Sequence, residues 1–286
     1  MNSWLIVILI IIAVGYLFDT TVSWLNLKAL DPQLPDEFRD VYDHKECQKS
    51  QEYTRVTTRF SLVSSAVSTF LTLGFLVLGG FNSVDILVRS FGAGEIITGL
   101  LYAGCLSLLS FLVSLPFSIY STFVIEERFG FNRTTVTTFV LDTLKGMVLV
   151  IALGAPLLAL ILWFFMSAGN LAWIYCWIGV VCFTLVIQFL APVLIMPLFN
   201  KFSPLQEGEL NEQILSYTKK EKFKLQGIFT MDGSKRSTKL NAFFTGFGRF
   251  RKIVFFDTLL EKLEKEEIVA VLAHEMGHFK LKHIIK

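Results

Sequence analysis

The residues best suited to chemistry lie near the C-terminal end of the chain, in the segment H-E-M-G-H from His274 to His278. Helical residues four apart lie about 40° from each other around the axis, so both imidazoles can reach one tetrahedral zinc ion. Glu275 lies about 100° from His274 and about 60° from His278, beside the metal without being forced to bind it. The spacing therefore predicts a zinc hydrolase in which Glu275 is the general base that acts on zinc-activated water.

A catalytic zinc ion takes three protein ligands and keeps one position for water, and this motif supplies two. His283 would point about 140° away from His278 on the same helix, and His44 belongs to a distant polar loop. We therefore expect the third ligand beyond residue 286, in a longer protein of which this chain is the N-terminal part. The alternative is two surface histidines on an amphipathic helix, but H-E-x-x-H arises by chance in roughly a few such chains per thousand.

The motif requires a helix, and the surrounding residues predict one. Glu266 and Glu267 suit the positive N-terminal end of a helix. Thr258 and Glu261 have the spacing of a capping box and predict a short helix just before it. One apolar stripe, with spacings of three and four residues, predicts the buried face: Ile268, Val271, Leu272, Met276 and Phe279.

The motif helix closes a polar region that begins at Lys201 and predicts a separate domain, residues 201–286. Leu210 and Ile214 open it with helical spacing. Strands are then predicted at 227–231, 240–245 and 252–256, and Asp232-Gly233-Ser234 forms a turn after the first. Helix, strands and helix predict an α+β, zincin-like metallopeptidase domain that ends in the H-E-x-x-H helix.

The preceding part, residues 1–200, predicts a membrane domain. The whole chain is 53% hydrophobic, has a mean hydropathy of +0.58 and contains 17% charged residues, where soluble domains average about 25%. Four runs lack charged side chains: Met1–Phe18, Phe60–Val84, Ile96–Ile125 and Gly146–Asn200. A spanning helix needs about 20 residues, and Ser167–Asn170 is a polar break in the last run, so five transmembrane helices are predicted.

Lys and Arg set the predicted orientation of these helices. Of the 26 basic residues, only Arg89 lies on the side opposite the others. The positive-inside rule then places loops 26–59 and 126–145 and the peptidase domain in the cytoplasm, with the N-terminus outside or in a lumen. The bilayer is the bacterial inner membrane or that of the endoplasmic reticulum.

Several motifs together resemble the type I CaaX prenyl proteases, in the superfamily that includes HtpX-like membrane proteases. Beyond H-E-x-x-H, the resemblance rests on Y-D-H at 42–44, K-S-Q-E-Y at 49–53, I-E-E-R-F-G-F-N at 125–132, I-M-P-L-F-N at 195–200, M-D-G-S-K-R-S at 231–237 and L-N-A-F at 240–243. The five predicted spans are similar to the prenyl-protease branch, since HtpX-like proteins have about two.

The resemblance implies a helical membrane chamber with a zinc site near its cytoplasmic side. It implies one Zn²⁺ per chain, a glutamate as the third ligand well downstream, and peptide or protein substrates, some with prenylated C-termini. It also implies that Asn241 and Ala242 border the substrate cleft and bind peptide by strand addition. These two residues are alternatively part of a core hairpin.

Two other functions are compatible with the sequence. An HtpX-like protease would degrade faulty membrane proteins and would be favoured in a bacterium. A transporter or channel with a structural zinc site is a candidate from another class, but structural sites are usually Cys-rich, and the last cysteine is Cys182. No feature of the sequence predicts nucleic-acid binding.

Overall fold

A computed structural model describes residues 3–31, 33, 43–223, 225–245 and 251–281. It contains two compact units, Met1–Gly130 and Phe131–Lys286. His283 and the side chain of Phe279 lie outside the described part, so the predictions on them stay open. The predicted boundary at residue 200 separates the apolar part of the sequence from the polar part. The two units are instead defined by which residues contact each other, so they do not test that boundary.

The first unit is helical. Two of its long helices, α1 and α2, pack side by side, and the short α3 packs against α4. A π-helical segment, Ser121–Glu126, extends α4 without interruption. The helices are α1 Ser3–Lys28, α2 His44–Val77, α3 Gly80–Arg89 and α4 Glu95–Tyr120.

The second charge-free run, Phe60–Val84, was predicted as a single span, and its end is wrong. Helix α2 ends at Val77, and Gly79 takes a φ of 73°, which favours glycine. Gly80 then starts α3 where a Cβ atom would collide with the ring of Phe75. The two adjacent glycines therefore end the span seven residues early and turn the chain into a separate short helix.

The second unit begins with a helical hairpin. Helices α5, Val136–Ser167, and α6, Ala172–Leu190, pack together across a short turn in which Gly169 has a φ of 52°. The predicted hairpin break at Ser167–Asn170 is confirmed. A π-helical segment, Ala191–Ile195, and the short α7, Met196–Phe199, continue α6.

Five helices in the described part of the chain are long and apolar enough to cross a membrane. Little of their surface is buried, and many of their large apolar side chains are exposed, as lipid-facing residues are. The predicted count of five is confirmed. The spans are Ser3–Lys28, His44–Val77, Glu95–Glu126, Val136–Ser167 and Gly169–Phe199.

The rest of the second unit is a sheet with helices. The described residues form four strands in the order β1-β2-β4-β3: β1 Phe202–Pro204, β2 Gly227–Met231, β3 Ala242–Thr245 and β4 Lys252–Phe256. Strands β2 and β4 are parallel, and the other two pairings are antiparallel. The predicted strands at 227–231 and 252–256 are confirmed, and the one predicted at 240–245 begins two residues later, at Ala242. Strand β1 was missed because it has three residues and ends in a proline.

Helices cover this sheet: α8 Glu209–Lys220, α9 Asp257–Lys262 and α10 Lys265–Lys280. Ile268, Leu272 and Met276 of α10 are each 1% exposed and pack with Ile214 of α8 and Phe255 of β4. Each such side chain contributes about 1.5–3 kcal/mol through burial. The predicted apolar stripe therefore fixes which face of α10, and hence of H-E-x-x-H, points away from the core.

Candidate active site

Helix α10 begins with a defined cap. The backbone N–H of Glu264 donates to the carboxylate of Glu267, at 2.8 Å, which is one half of a capping box. Glu266 also lies in the first turn, where the helix dipole favours negative charge. The predicted start of the motif helix is confirmed.

The predicted capping box at Thr258 is wrong. Helix α9 begins at Asp257, so Thr258 is already helical, and its hydroxyl donates to the carbonyl of Lys239 at 2.9 Å. The carboxylate of Asp257 instead accepts the backbone N–H groups of Thr258 and Ser234, both at 2.8 Å. Lys239 and Ser234 are about 20 residues away in sequence. The local spacing therefore pointed to Thr258 as the cap instead of Asp257.

The two motif histidines converge. Their Nε2 atoms are 3.0 Å apart, and their rings are nearly perpendicular, with centroids 4.6 Å apart. Two nitrogens bound to a tetrahedral zinc ion at about 2.0–2.1 Å would be about 3.3 Å apart. His274 and His278 are exposed and Glu275 is half-buried. The donor pair therefore fits zinc with only small adjustments of the rings.

The described residues do not complete a metal site. They contain no group of three or more His, Cys, Asp or Glu side chains that could hold an ion. His44 begins α2, in the first unit. The third ligand therefore stays a prediction, and so do the roles of His274, Glu275 and His278.

Strand β3 lies beside the motif helix at one edge of the described sheet. Ala242 packs against the buried cluster that contains Leu272 and Met276. The carbonyl of Asn241 accepts the backbone N–H of Phe256 at 3.0 Å, which ties the start of β3 to β4. This arrangement fits both the predicted substrate role and the hairpin alternative, so the role of Asn241 and Ala242 stays a prediction.

Along β3, the backbone N–H and C=O groups of successive residues point alternately toward β4 and away from it. Asn241 and Phe256 form a hydrogen-bonded antiparallel pair, so the next pair, Ala242 and Phe255, is of the other kind. The N–H and C=O groups of Ala242 therefore point away from β4. In the structure this N–H donates to the side-chain oxygen of Asn241, at 2.9 Å. The outer edge of β3 thus offers main-chain groups to an incoming strand.

Sequence reasoning missed one polar network near the site. Arg236 was noted only as part of a motif, yet its guanidinium binds Asp142 of α5 through two nitrogens, at 2.7 and 3.0 Å. It also donates to the side chain of Asn200 and the carbonyl of Phe199. The partners lie 36 to 94 residues away, so no local signal could have found them.

Comparisons with known families cover most of the chain. Residues 23–201 match the family described as CAAX prenyl protease N-terminal, five membrane helices. Residues 204–286 match peptidase family M48. These matches and the observed helices confirm the predicted class: a mainly helical multi-pass membrane protein with five membrane helices and then a mixed α/β segment.

Individual relatives agree with the family matches. The chain is 37% identical over 279 residues to CAAX prenyl protease 1 homolog of Arabidopsis thaliana, covering 94% of this chain and 66% of that one. It is 38% identical over 284 residues to CAAX prenyl protease 1 of Saccharomyces cerevisiae, covering 94% and 62%. The chain thus spans slightly less than two thirds of these relatives.

A crystal structure of S. mikatae Ste24p matches the whole chain and 69% of its own, with 35% identity and a TM-score of 0.92. The likeness extends through both the membrane helices and the mixed α/β segment. The predicted resemblance is therefore confirmed, and the five-helix match distinguishes this branch from the shorter HtpX-like alternative.

Proposed function

Because the chain belongs to the CAAX prenyl protease 1 family, within peptidase family M48, we propose that it forms the membrane part and the first half of the active site of a zinc metalloendopeptidase. Its proposed substrates are proteins with prenylated C-termini, cleaved near that end. The observation that carries the proposal is the pair of Nε2 atoms, 3.0 Å apart, on a helix of an M48 match.

His274 and His278 are the proposed zinc ligands, and a downstream glutamate is the proposed third. When bound, zinc supplies a Lewis acid that polarises the scissile carbonyl and lowers the pKa of the attacking water.

Glu275 is the proposed general base. It follows His274 directly on α10 and is half-buried, and helix geometry puts it about 60° around the axis from His278. It takes a proton from the attacking water and passes one to the leaving amine. Burial of Leu272 and Met276 fixes the rotation of α10 and so the direction of this carboxylate.

The outer edge of β3 is the proposed substrate-binding element. A substrate in extended form would pair with the outward N–H and C=O groups of Ala242 and extend the sheet by one strand. This pairing holds the main chain of the substrate next to α10, against which β3 packs. A prenyl group attached near the scissile bond would lie in an apolar environment, which the membrane helices provide.

The chain is an integral multi-pass membrane protein, and its orientation is part of the proposal. We place the N-terminus outside or in the lumen and the peptidase segment in the cytoplasm, because of the 26 basic residues only Arg89 lies on the opposite side. The relatives named above are eukaryotic, which favours the membrane of the endoplasmic reticulum.

The test uses the full-length protein, purified in detergent. Glu275→Gln should keep stoichiometric zinc and lose at least about 99% of the cleavage of a prenylated Cys-a-a-X peptide, since general bases contribute about 10²–10⁴-fold. His274→Ala should lose both zinc and activity. An active Glu275→Gln variant would refute the mechanism, whereas the transporter alternative with a structural zinc predicts that the wild type itself does not cleave the peptide.

A further inference from the structure

Arg236 is the centre of a polar network in the second unit. Its Nε and one terminal nitrogen bind both carboxylate oxygens of Asp142, at 2.7 and 3.0 Å. Its terminal nitrogens also donate to Asn200 Oδ1, at 2.5 Å, and to the carbonyl of Phe199, at 2.7 Å. The Arg236 and Asp142 side chains are 24% and 21% exposed, so this bidentate pair is largely shielded from water.

These partners come from the membrane helices. Asp142 lies in the first turns of α5. Phe199 is the last residue of α7, where the last membrane span ends, and Asn200 follows it. A planar guanidinium with several fixed donors can hold both ends at once, which the single amine of lysine cannot do. Arg236 therefore fixes the loop that carries it to the two ends of the α5–α6 hairpin.

The backbone of the same loop is fastened to the segment before α5. The carbonyl of Arg236 accepts hydrogen bonds from the N–H of Arg133, at 3.0 Å, and the hydroxyl of Thr134, at 3.1 Å. The N–H of Thr238 donates to the carbonyl of Phe131 at 3.1 Å. Side chain and backbone thus hold residues 236–238 against the membrane hairpin on two sides.

The loop leads directly into the substrate edge. The carbonyl of Lys239 accepts a hydrogen bond from the hydroxyl of Thr258 in α9, and the carbonyl of Asn241 accepts one from the N–H of Phe256 in β4. Both ends of the stretch 239–241 are therefore hydrogen-bonded. Only four residues separate Arg236 from Asn241. This short connection links the Arg236 loop to the start of β3 and to Ala242.

We infer that Arg236 is a positioning residue for the substrate: its contacts with Asp142, Asn200 and Phe199 hold the edge of β3 at the distance from the motif helix that a bound peptide requires. The inference rests on the proposed function. It assigns Arg236 no contact with the substrate and no part in zinc binding.

The experiment measures peptide binding without turnover. Full-length Glu275→Gln protein in detergent is titrated with a fluorescent, prenylated Cys-a-a-X peptide, and Arg236→Gln is added to this background. The Kd should rise up to about tenfold, because a displaced edge loses roughly one main-chain hydrogen bond to the peptide. Zinc content and the number of binding sites should stay unchanged.

Two variants test the specific contact. Asp142→Asn should also weaken peptide binding, and the double variant should bind no more weakly than Arg236→Gln alone, because the Asp142 contact is already lost in that variant. Arg236→Lys should recover only part of the affinity. The control is Arg89→Gln, which removes another Arg–Asp pair, in which Nε of Arg89 donates to both carboxylate oxygens of the exposed Asp85 on α3; its Kd should not change.

An unchanged Kd in Arg236→Gln and Asp142→Asn would overturn the inference. Fewer binding sites at an unchanged Kd would also overturn it, because that result shows a merely structural role. If Arg236→Gln does not fold, Asp142→Asn and Arg236→Lys decide by the same criteria. Failure of the proposed function looks different, since the wild type would then show no zinc-dependent cleavage whatever the Kd values are.

Discussion

Ala242→Pro is the most direct perturbation of the proposed substrate edge. Proline removes one backbone donor and is tolerated in strands where the N–H points away from the sheet. The pairing of Asn241 with Phe256 places the Ala242 N–H on the outer edge, so the substitution leaves the bonds to β4 intact. Asn241, the residue before the new proline, continues the hydrogen-bond ladder of β3 with β4. Proline favours an extended conformation in the residue that precedes it.

The expected loss is one main-chain hydrogen bond to the substrate. A net bond contributes about 0.5–1.5 kcal/mol, which corresponds to roughly two- to twelvefold in affinity. The assay is peptide binding to full-length Glu275→Gln protein, with the thermal midpoint measured in parallel. Ala242→Pro should weaken binding within this range and shift the midpoint little.

Phe243→Pro is the matched control. Phe243 and Val254 form a hydrogen-bonded pair, as Asn241 and Phe256 do. The N–H of Phe243 therefore points toward β4 and belongs to the hydrogen-bond ladder between the two strands. This variant should lower the thermal midpoint clearly, because it removes a bond of the ladder. If Ala242→Pro binds peptide as tightly as the parent, or if both prolines destabilise equally, strand addition at this edge is wrong.

Three further results are expected. Leu272→Ala should destabilise the peptidase segment by about 2–5 kcal/mol in denaturant titrations, because its side chain is 1% exposed; a smaller loss would mean that α10 is not held by this core. Lys280 forms a hydrogen-bonded ion pair with Glu221 and lowers the pKa of the Glu221 carboxyl. The stability that this pair contributes is therefore present above the ordinary carboxylate pKa and lost as the pH falls through the lowered value. The thermal midpoints of wild type and Glu221→Gln should converge on acidification, and a constant difference would contradict this. Single cysteines at Ser167 and Ser234, in a cysteine-free background, should react with an impermeant reagent from opposite sides of the membrane, and labelling from one side would refute the proposed orientation.

Much of the fold was predictable because its signals are local. Charge-free runs of about 20 or more residues predict membrane helices, and spacings of three and four predict the buried face of α10. The motif itself follows from helix geometry, since residues four apart must be neighbours. Each of these inferences uses residues that are close in sequence, and the structure agrees with them at Ile268, Leu272 and Met276.

The errors came where a distant partner decides the outcome. Thr258 has the sequence of a cap, yet its hydroxyl bonds to Lys239, 19 residues earlier, and Asp257 holds the start of the helix. The span from Phe60 ended early because a pair of glycines allowed a turn within an apolar stretch. Local patterns name the groups that can form such bonds, but only the tertiary fold selects among them.

The division between local and distant signals also applies to the candidate site. His274, Glu275 and His278 lie on one helix, so sequence alone predicts that they meet, whereas the edge that would present the peptide is held by contacts spanning up to 94 residues. The proposed mechanism separates two functions physically: the helix would provide the ligands and the base, and the Arg236 network would set the position of the strand beside it. Substitutions on the helix should therefore change zinc content or turnover, and substitutions in the network should change peptide affinity. This difference allows the two halves of the proposed mechanism to be tested independently.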